Sequence, residues 1–168
     1  FTKNSEKDVK STKALSEWLQ GDMNLEAIPK QAIDELVELA EIAEDRSKIA
    51  LVDLLRLLVL KDTQAEYILT KHWELLQVCI FGYLAAQNLQ DKKATVIQNY
   101  HLASLKFLAN IFQTSEGKAI MQDVDKSIEL IDFCAKSFTS CNDKIIYHAA
   151  LVLFNEILCF QSDDKQAL

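Results

Sequence analysis

Leu51-Val-Asp-Leu-Leu-Arg-Leu-Leu-Val-Leu60 holds eight Leu or Val in ten residues. A helix apolar nearly all round is an inner helix, covered on most sides by other helices. Its two exceptions, Asp53 and Arg56, lie three apart and are neighbours on one helical face. A charge in such surroundings is costly unless it is paired or reaches water. Arg56 is therefore either the partner of Asp53 or a group kept for an anionic visitor.

Composition frames that helix. The chain has 168 residues, enough for one domain with a substantial core. Three Gly and one Pro leave few tight turns, which favours an all-helical chain. The sequence opens without Met, so it is expected to be a fragment of something longer. No apolar run approaches the ~20 residues of a membrane span, and no membrane association is expected.

Net charge is −7, which argues against non-specific nucleic-acid binding. Residues 1–47 hold eleven acidic and six basic side chains, so most of that negative charge lies at the N-terminal end. Asp34, Glu35, Glu38, Glu41, Glu44 and Asp45 make up much of it and read as a solvated helix face. A basic groove elsewhere in the chain stays open. Cys79, Cys134, Cys141 and Cys159 form no CxxC pair, and three of them lie within apolar helical patterns. They read as small core residues of a reducing compartment, cytoplasmic or nuclear, with neither metal nor disulfide expected.

Outward from the central stretch, the periodicity gives helices throughout. Residues 1–8 are expected to be frayed, with the folded domain spanning 9–168. A first helix runs from Val9 to Gln20 with Leu15, Trp18 and Leu19 as its stripe, ended by Gly21. Pro29 suits the first turn of a second helix, on which Ile33, Leu36, Val37 and Ala40 share a face. Asp45 or Ser47 caps the central helix, predicted to reach Lys61. A short helix from Asp62-Thr63 holds Tyr67 and Ile68, and a separate one follows through Trp73, Leu76, Ile80, Phe81 and Leu84. Residues 85–94 read as a loop. Thr95 to Phe112 is a strong helix, and Thr114-Ser-Glu-Gly117 caps a short one through Met121. Ile128, Ile131, Cys134 and Ala135 mark another. A last helix, Lys144 to Phe160, is as apolar as the central one and follows a turn with Asn142 and Asp143 as cap candidates.

Three of these helices repeat one another. Leu54–Leu58 aligns with Ser104–Leu108 at a displacement of 50, and Leu108–Phe112 with Leu153–Ile157 at 45. A buried helix every 45 to 50 residues with shorter amphipathic helices between is the rhythm of an all-α, armadillo-like helical repeat solenoid. The polar exceptions then form stripes. Asn99, Lys106 and Asn110 share one face; Lys144, His148 and Asn155 share another; Arg56 aligns with Lys106. Asn on such a stripe offers both a donor and an acceptor to an extended peptide backbone, and Arg or Lys nearby suits an anionic side chain or terminal carboxylate. The same asparagines also suit a neighbouring turn's backbone, and Arg56 also suits Asp53. The histidines, His72, His101 and His148, lie near no nucleophile, and there is no phosphate loop, HExxH or nucleophile elbow. No catalytic residue, metal or cofactor is expected.

Several motifs resemble one family. Leu51–Leu58 resembles the xLDxLRL signature of the PUL domain, the C-terminal domain of phospholipase-activating protein and its fungal counterparts. Asn99-Tyr-His-Leu-Ala-Ser-Leu-Lys-Phe-Leu-Ala-Asn-Ile-Phe112 resembles the family's NxLLALRxxxNxF stretch, with Gly117-Lys-Ala-Ile-Met121 at the family's spacing. Asn142-Asp-Lys-Ile-Ile-Tyr-His-Ala-Ala-Leu151, with Asn155 and Cys159 beyond it, resembles NKNIxIALATLxLN. The likeness covers residues 29–162. It implies a non-enzymatic adaptor that binds the acidic C-terminal tail of the valosin-containing AAA ATPase, the ubiquitin-selective segregase, in a basic groove. Arg56, Lys106 and Lys144 would supply charge, Asn99, Asn110, His148 and Asn155 would meet the peptide, and Asp53 would orient Arg56. Ubiquitin would be bound only by other domains of the full-length protein. The chain departs from the family in having Ile49-Ala50 for Phe-Pro and Lys106 for Arg, and in stopping before a further FRxLVALGTL helix. The alternative is an armadillo or HEAT-type scaffold fragment with another protein partner.

Overall fold

The computed structural model describes residues 13–21, 28–43, 45–82 and 95–163. Among them are eight α-helices and no strand: α1 Lys13–Gln20, α2 Lys30–Ile42, α3 Asp45–Leu58, α4 Asp62–Gln77, α5 Thr95–Ile111, α6 Ser115–Met121, α7 Val124–Ser137 and α8 Asp143–Asp163. A π-helical turn, Val78–Gly82, extends α4. The fold is an all-α helical repeat. The segments predicted as a frayed terminus and as the 85–94 loop lie outside the described residues, as does the predicted start of the first helix at Val9.

The helices pack as two rows. α3, α5 and α8 stack side by side, and α2, α4, α6 and α7 line their other flank, with α1 laid against α2. The row of three consists of the helices singled out by their apolar character. Val52, Leu55, Leu58 and Val59 are fully buried, and the first exposed apolar residue of the central stretch is Leu60, past the end of α3. α5 and α8 run parallel: Asn142, just before α8, donates to Gln98 near the start of α5, while Asn155 far along α8 donates to Ala109 near its end.

Several boundaries differ from the sequence expectation for local reasons. α3 stops at Leu58 because Lys61 is already the N-cap of α4, in extended geometry, its carbonyl accepting from Gln64 and Ala65. The two helices expected over 62–84 are one as far as Gly82, with Leu84 outside the described residues: no Gly or Pro interrupts Asp62–Gln77, and Thr70 and Lys71 fall on its exposed face. Pro29 is the N-cap of α2, with φ −63° and ψ 141°, rather than part of its first turn. α8 continues to Asp163.

Two faces are also corrected. On α7 the expected core residues Ile128 and Ile131 are exposed, while Ser127, Leu130, Phe133, Cys134 and Ser137 are buried. The serines can face inward because each has a partner: Ser127 donates to Glu156, and Ser137 donates to the Phe133 carbonyl. The acidic face of α2 is only partly solvated. Glu35 is buried, and its carboxylate accepts from the Leu15 N–H at 2.9 Å, tying the first turn of α1 to α2. Asp34 accepts from Tyr67, Lys71 and His72 at 2.7 to 2.9 Å.

The turn into α6 is fixed by one hydroxyl and one missing Cβ. Thr114 Oγ1 accepts from the Gly117 N–H at 3.2 Å. A Cβ on Gly117 would lie 2.0 Å from the Ile111 carbonyl oxygen, so α6 approaches the end of α5 only with glycine there.

Candidate functional site

The polar exceptions of the inner row were the candidate residues, and the helix ends explain where several of them go. An α-helix leaves its last four carbonyls without intrahelical partners. In α3 those of Leu55, Leu57 and Leu58 accept from Val59, Leu60 and Lys61 in the following turn. That of Arg56 accepts from Asn110 Nδ2 of α5 at 2.9 Å. The device recurs one helix on. The turn after α5 returns its N–H groups to Asn110 and Ile111, and the Ala109 carbonyl meets Asn155 Nδ2 of α8 at 3.4 Å. Each asparagine thus caps the end of the preceding inner helix and sets the height of its own.

Arg56 sits at that seam. Its Nε donates to Asp53 Oδ1 at 2.7 Å, within the same helix. Both side chains are partly solvated, at 25% and 49%, so the pair contributes ~0–1 kcal/mol to stability. Asp53 engages only Nε, so the terminal guanidinium nitrogens remain without a partner among the described residues. The carboxylate fixes the orientation of the fork without filling it. Lys106 is the single Lys, Arg, Asp or Glu of α5, half-buried and without an ion-pair partner among the described residues.

The remaining candidates lie at the other end of the parallel pair. Asn99 is exposed beside Gln98. Lys144 is exposed and lines a shallow recess with Gln98, Cys141, Asn142 and Asp143. Asn142 Oδ1 caps α8 by accepting from the Lys144 N–H at 3.0 Å. His148 Nδ1 lies 2.8 Å from the Lys144 carbonyl and its ring meets Tyr147 edge-on. A carbonyl only accepts, so Nδ1 carries the proton and Nε2 faces outward as an acceptor when the ring is neutral. Eleven residues separate Asn99 from Asn110 and Lys144 from Asn155. At ~1.5 Å per residue the two polar ends lie roughly 16 Å apart along the helices.

Other polar groups were not foreseen as clusters. Tyr67 is flanked by Lys30 Nζ and Lys71 Nζ at 4.8 and 5.1 Å from its ring. Burial opposes ionisation of Asp34 beside it, but hydrogen bonds from Lys71, Tyr67 and His72, with the Lys71 charge, hold its carboxyl below the ordinary range. Tyr67 and Lys71 at i and i+4 were visible in the sequence; their acceptor on another helix was not. Burial pushes the Glu156 carboxyl up, opposed by the bond from Ser127. Burial pushes the Cys134 thiol up to about 12, with the Glu156 charge adding to it, which leaves it unreactive; Cys79 and Cys159 are buried too, but Cys141, expected in the core, is exposed because it lies in the turn before α8. Among the described residues no group of three or more His, Cys, Asp or Glu is placed to hold a metal, and no helix is long and apolar enough to cross a membrane.

No curated protein and no solved structure matches the chain. The model of the PUL domain, a protein-interaction family, matches residues 2–168 and so extends at both ends past the motifs visible by eye. With its apolar inner helices, their asparagine caps and this match over nearly its whole length, the chain belongs to the PUL domain family.

Proposed function

We propose that this domain is a non-enzymatic adaptor that docks the acidic C-terminal tail of the valosin-containing AAA ATPase across α3, α5 and α8. The observation that carries the reading is the pair of cations on adjacent inner helices. Arg56 has its fork oriented by Asp53 but its terminal nitrogens unspent, and Lys106 has no carboxylate partner among the described residues. Carboxylates of the tail would take those nitrogens as charge-assisted bonds. Lys144 would add charge at the far end, with His148 Nε2 accepting beside it. Asn110 and Asn155 spend Nδ2 on helix ends and keep Oδ1 for peptide N–H groups, while exposed Asn99 offers both groups. An extended segment of about five residues, at roughly 3.3 Å each, covers the distance between the two polar ends. The reading needs no cofactor, and it places the domain in cytoplasmic and nuclear ubiquitin homeostasis, with ubiquitin itself bound elsewhere in the full-length protein.

Titration of an acidic C-terminal peptide into the wild type and Arg56→Ala tests this. The variant is expected to bind about 1.5–3 kcal/mol more weakly, and wild-type affinity is expected to fall as salt rises. Equal affinity with an intact fold removes Arg56 from the site. A flat titration of the wild type leaves a helical scaffold for another protein partner.

A further inference from the structure

The seams between the inner helices also fix which side chains stand at one height across them. α3 lies along much of α5, and Asn110 near the end of α5 reaches the Arg56 carbonyl near the end of α3, so the two helices run the same way. Asn155 reaches the Ala109 carbonyl in the same manner, which brings it level with Asn110. One turn before these asparagines stand Lys106 on α5 and Leu151 on α8, each four residues earlier and so on the same face. On α3 that height is reached by the Arg56 guanidinium. Helix side chains lean towards the N-terminus, and the bond to Asp53 draws this one a turn back. The row across the stack is therefore cation, cation, leucine.

Leu151 breaks the pattern set by Arg56 and Lys106. It is half-buried against the core, between Tyr147, 63% exposed, and Leu158, 46% exposed. Steps of four and seven residues keep the three within roughly 40° on the helix, so they form one apolar strip beside Asn155. Lys144 is the single Lys or Arg of α8 and lies seven residues before Leu151, roughly 10 Å back along the helix. A ligand that crosses from α3 to α8 at the height of Arg56 and Lys106 thus meets charge twice and then an apolar surface.

We propose that the segment docked on this row carries a large apolar side chain on Leu151, Tyr147 and Leu158, one helix step from a carboxylate on Lys106 and two steps from a carboxylate on Arg56. This rests on the tail reading above and adds what the tail must present to α8. Packed inner helices lie about 8–10 Å apart. A polyproline II segment rises ~3.1 Å per residue and returns its side chains to one face every third residue, a step of about 9 Å. The three contacts therefore fall on every third residue of the ligand. A carboxylate at the α8 position would lose water over the apolar strip with no cation to meet, whereas an apolar side chain gains by being covered there. The ligand is an acidic segment with one apolar position in fixed register, not a uniformly acidic one.

Blocked Asp-Ala-Ala-Asp-Ala-Ala-Leu and its reversed sequence test this by titration, because the row fixes spacing and leaves the chain direction to the ligand. In one direction the peptide is expected to bind about tenfold or more tightly than the same peptide ending in Ala or Asp. Moving Leu one residue nearer the acids is expected to remove the gain. These comparisons need no variant of the protein. Leu151→Lys, which extends the cation row, is expected to reverse the preference towards the Asp peptide. Tyr147→Ser, at an exposed position, is expected to weaken the Leu peptide by about threefold and leave the Ala peptide unchanged. Equal binding of the Leu and Ala peptides, or tighter binding of the Asp peptide by the wild type, overturns the apolar position and leaves the cation pair standing. Binding that is indifferent to the place of Leu overturns the register. No binding of any of these peptides overturns the tail reading together with it.

Discussion

α3 and α8 are the two inner helices that pack on either side of α5, and they are covered very differently. In α3 the leucines and valines are buried or half-buried on every side. In α8 one narrow stripe is buried, Ile145, Ala149, Val152, Glu156 and Cys159, at the i, i+4, i+7 spacing of a single helical face. Tyr147, Phe154, Ile157, Leu158 and Phe160 stay exposed, as do Val124, Ile128 and Ile131 of α7 and its C-cap Phe138. Apolar composition marks a helix that belongs inside a stack, whereas burial depends on how broadly its neighbours cover it. α3 has α2 and α5 to cover it; α8 has α5, α7 and, more narrowly, α6. The difference lies in the breadth of the contact, since α3 meets α5 along much of its length.

The largest expected consequence is in the core of α3. Leu58→Ala removes a fully buried side chain and is expected to cost about 2–5 kcal/mol in denaturant unfolding. A cost below about 1 kcal/mol would show that α3 is not the covered helix of the pair.

Acid attacks the stack at another seam, between α5 and α7. His101 is 1% exposed and its Nε2 lies 2.8 Å from Ser137 Oγ. The Ser137 hydroxyl donates to the Phe133 carbonyl, so its oxygen accepts and His101 Nε2 carries the proton. Nδ1 is buried without a partner among the described residues, so a second proton there would be unsolvated. Burial accordingly lowers the pKa from 6.5 to about 4. The folded ring stays neutral while the unfolded ring takes up a proton, so stability is intact above pH 6.5 and falls as pH drops towards 4. The full loss is about 3 kcal/mol. His101→Gln is expected to flatten the unfolding profile over that window, and an unchanged slope would assign the acid sensitivity to other groups. Asp34, whose carboxyl is held low, loses stability in the same direction at lower pH.

These seams also mark what the sequence made legible. The inner helices were readable because Leu51–Leu60 and its two counterparts are apolar over more than one face, a signal that survives errors of boundary. The outer helices were readable as helices but not by face. On α7 the isoleucines are exposed and two serines are buried, because Ser127 and Ser137 find partners 29 residues ahead and one turn back. No periodicity shows that a serine has an acceptor across the fold. The polar stripe was half legible. Of the two roles spacing left open for Asn110 and Asn155, the structure shows the bond to a neighbouring backbone, which depends on where α3 and α5 end, and the sequence placed the end of α3 three residues late. Trp73 looked like a core residue and is one, while the lack of a partner for its N–H among the described residues belongs to packing alone.

Removing the caps is the next smaller effect, and it separates the two seams. Asn110→Ala leaves the Arg56 carbonyl unmet and is expected to cost about 1–2 kcal/mol. Asn155→Ala breaks a bond of 3.4 Å and is expected to cost below about 1 kcal/mol. If the order reverses in parallel melts, the α5–α8 seam holds the stack more firmly than α3–α5, and the contrast between α3 and α8 inverts.

The smallest expected effect is on the exposed side of α8, and it is the most direct test of that contrast. Phe154 is 57% exposed, so Phe154→Ser removes little buried area and is expected to change stability by no more than about 0.5 kcal/mol. The result is informative because a large aromatic on a helix this apolar would cost several times more if a neighbour covered it. Measured at two protein concentrations, a loss near the size of Leu58→Ala that grows with concentration would mean that copies of the domain cover α8 in solution. A small loss independent of concentration leaves α8 as an open face and α3 as the closed one, with the breadth of the contact its neighbours make as the cause.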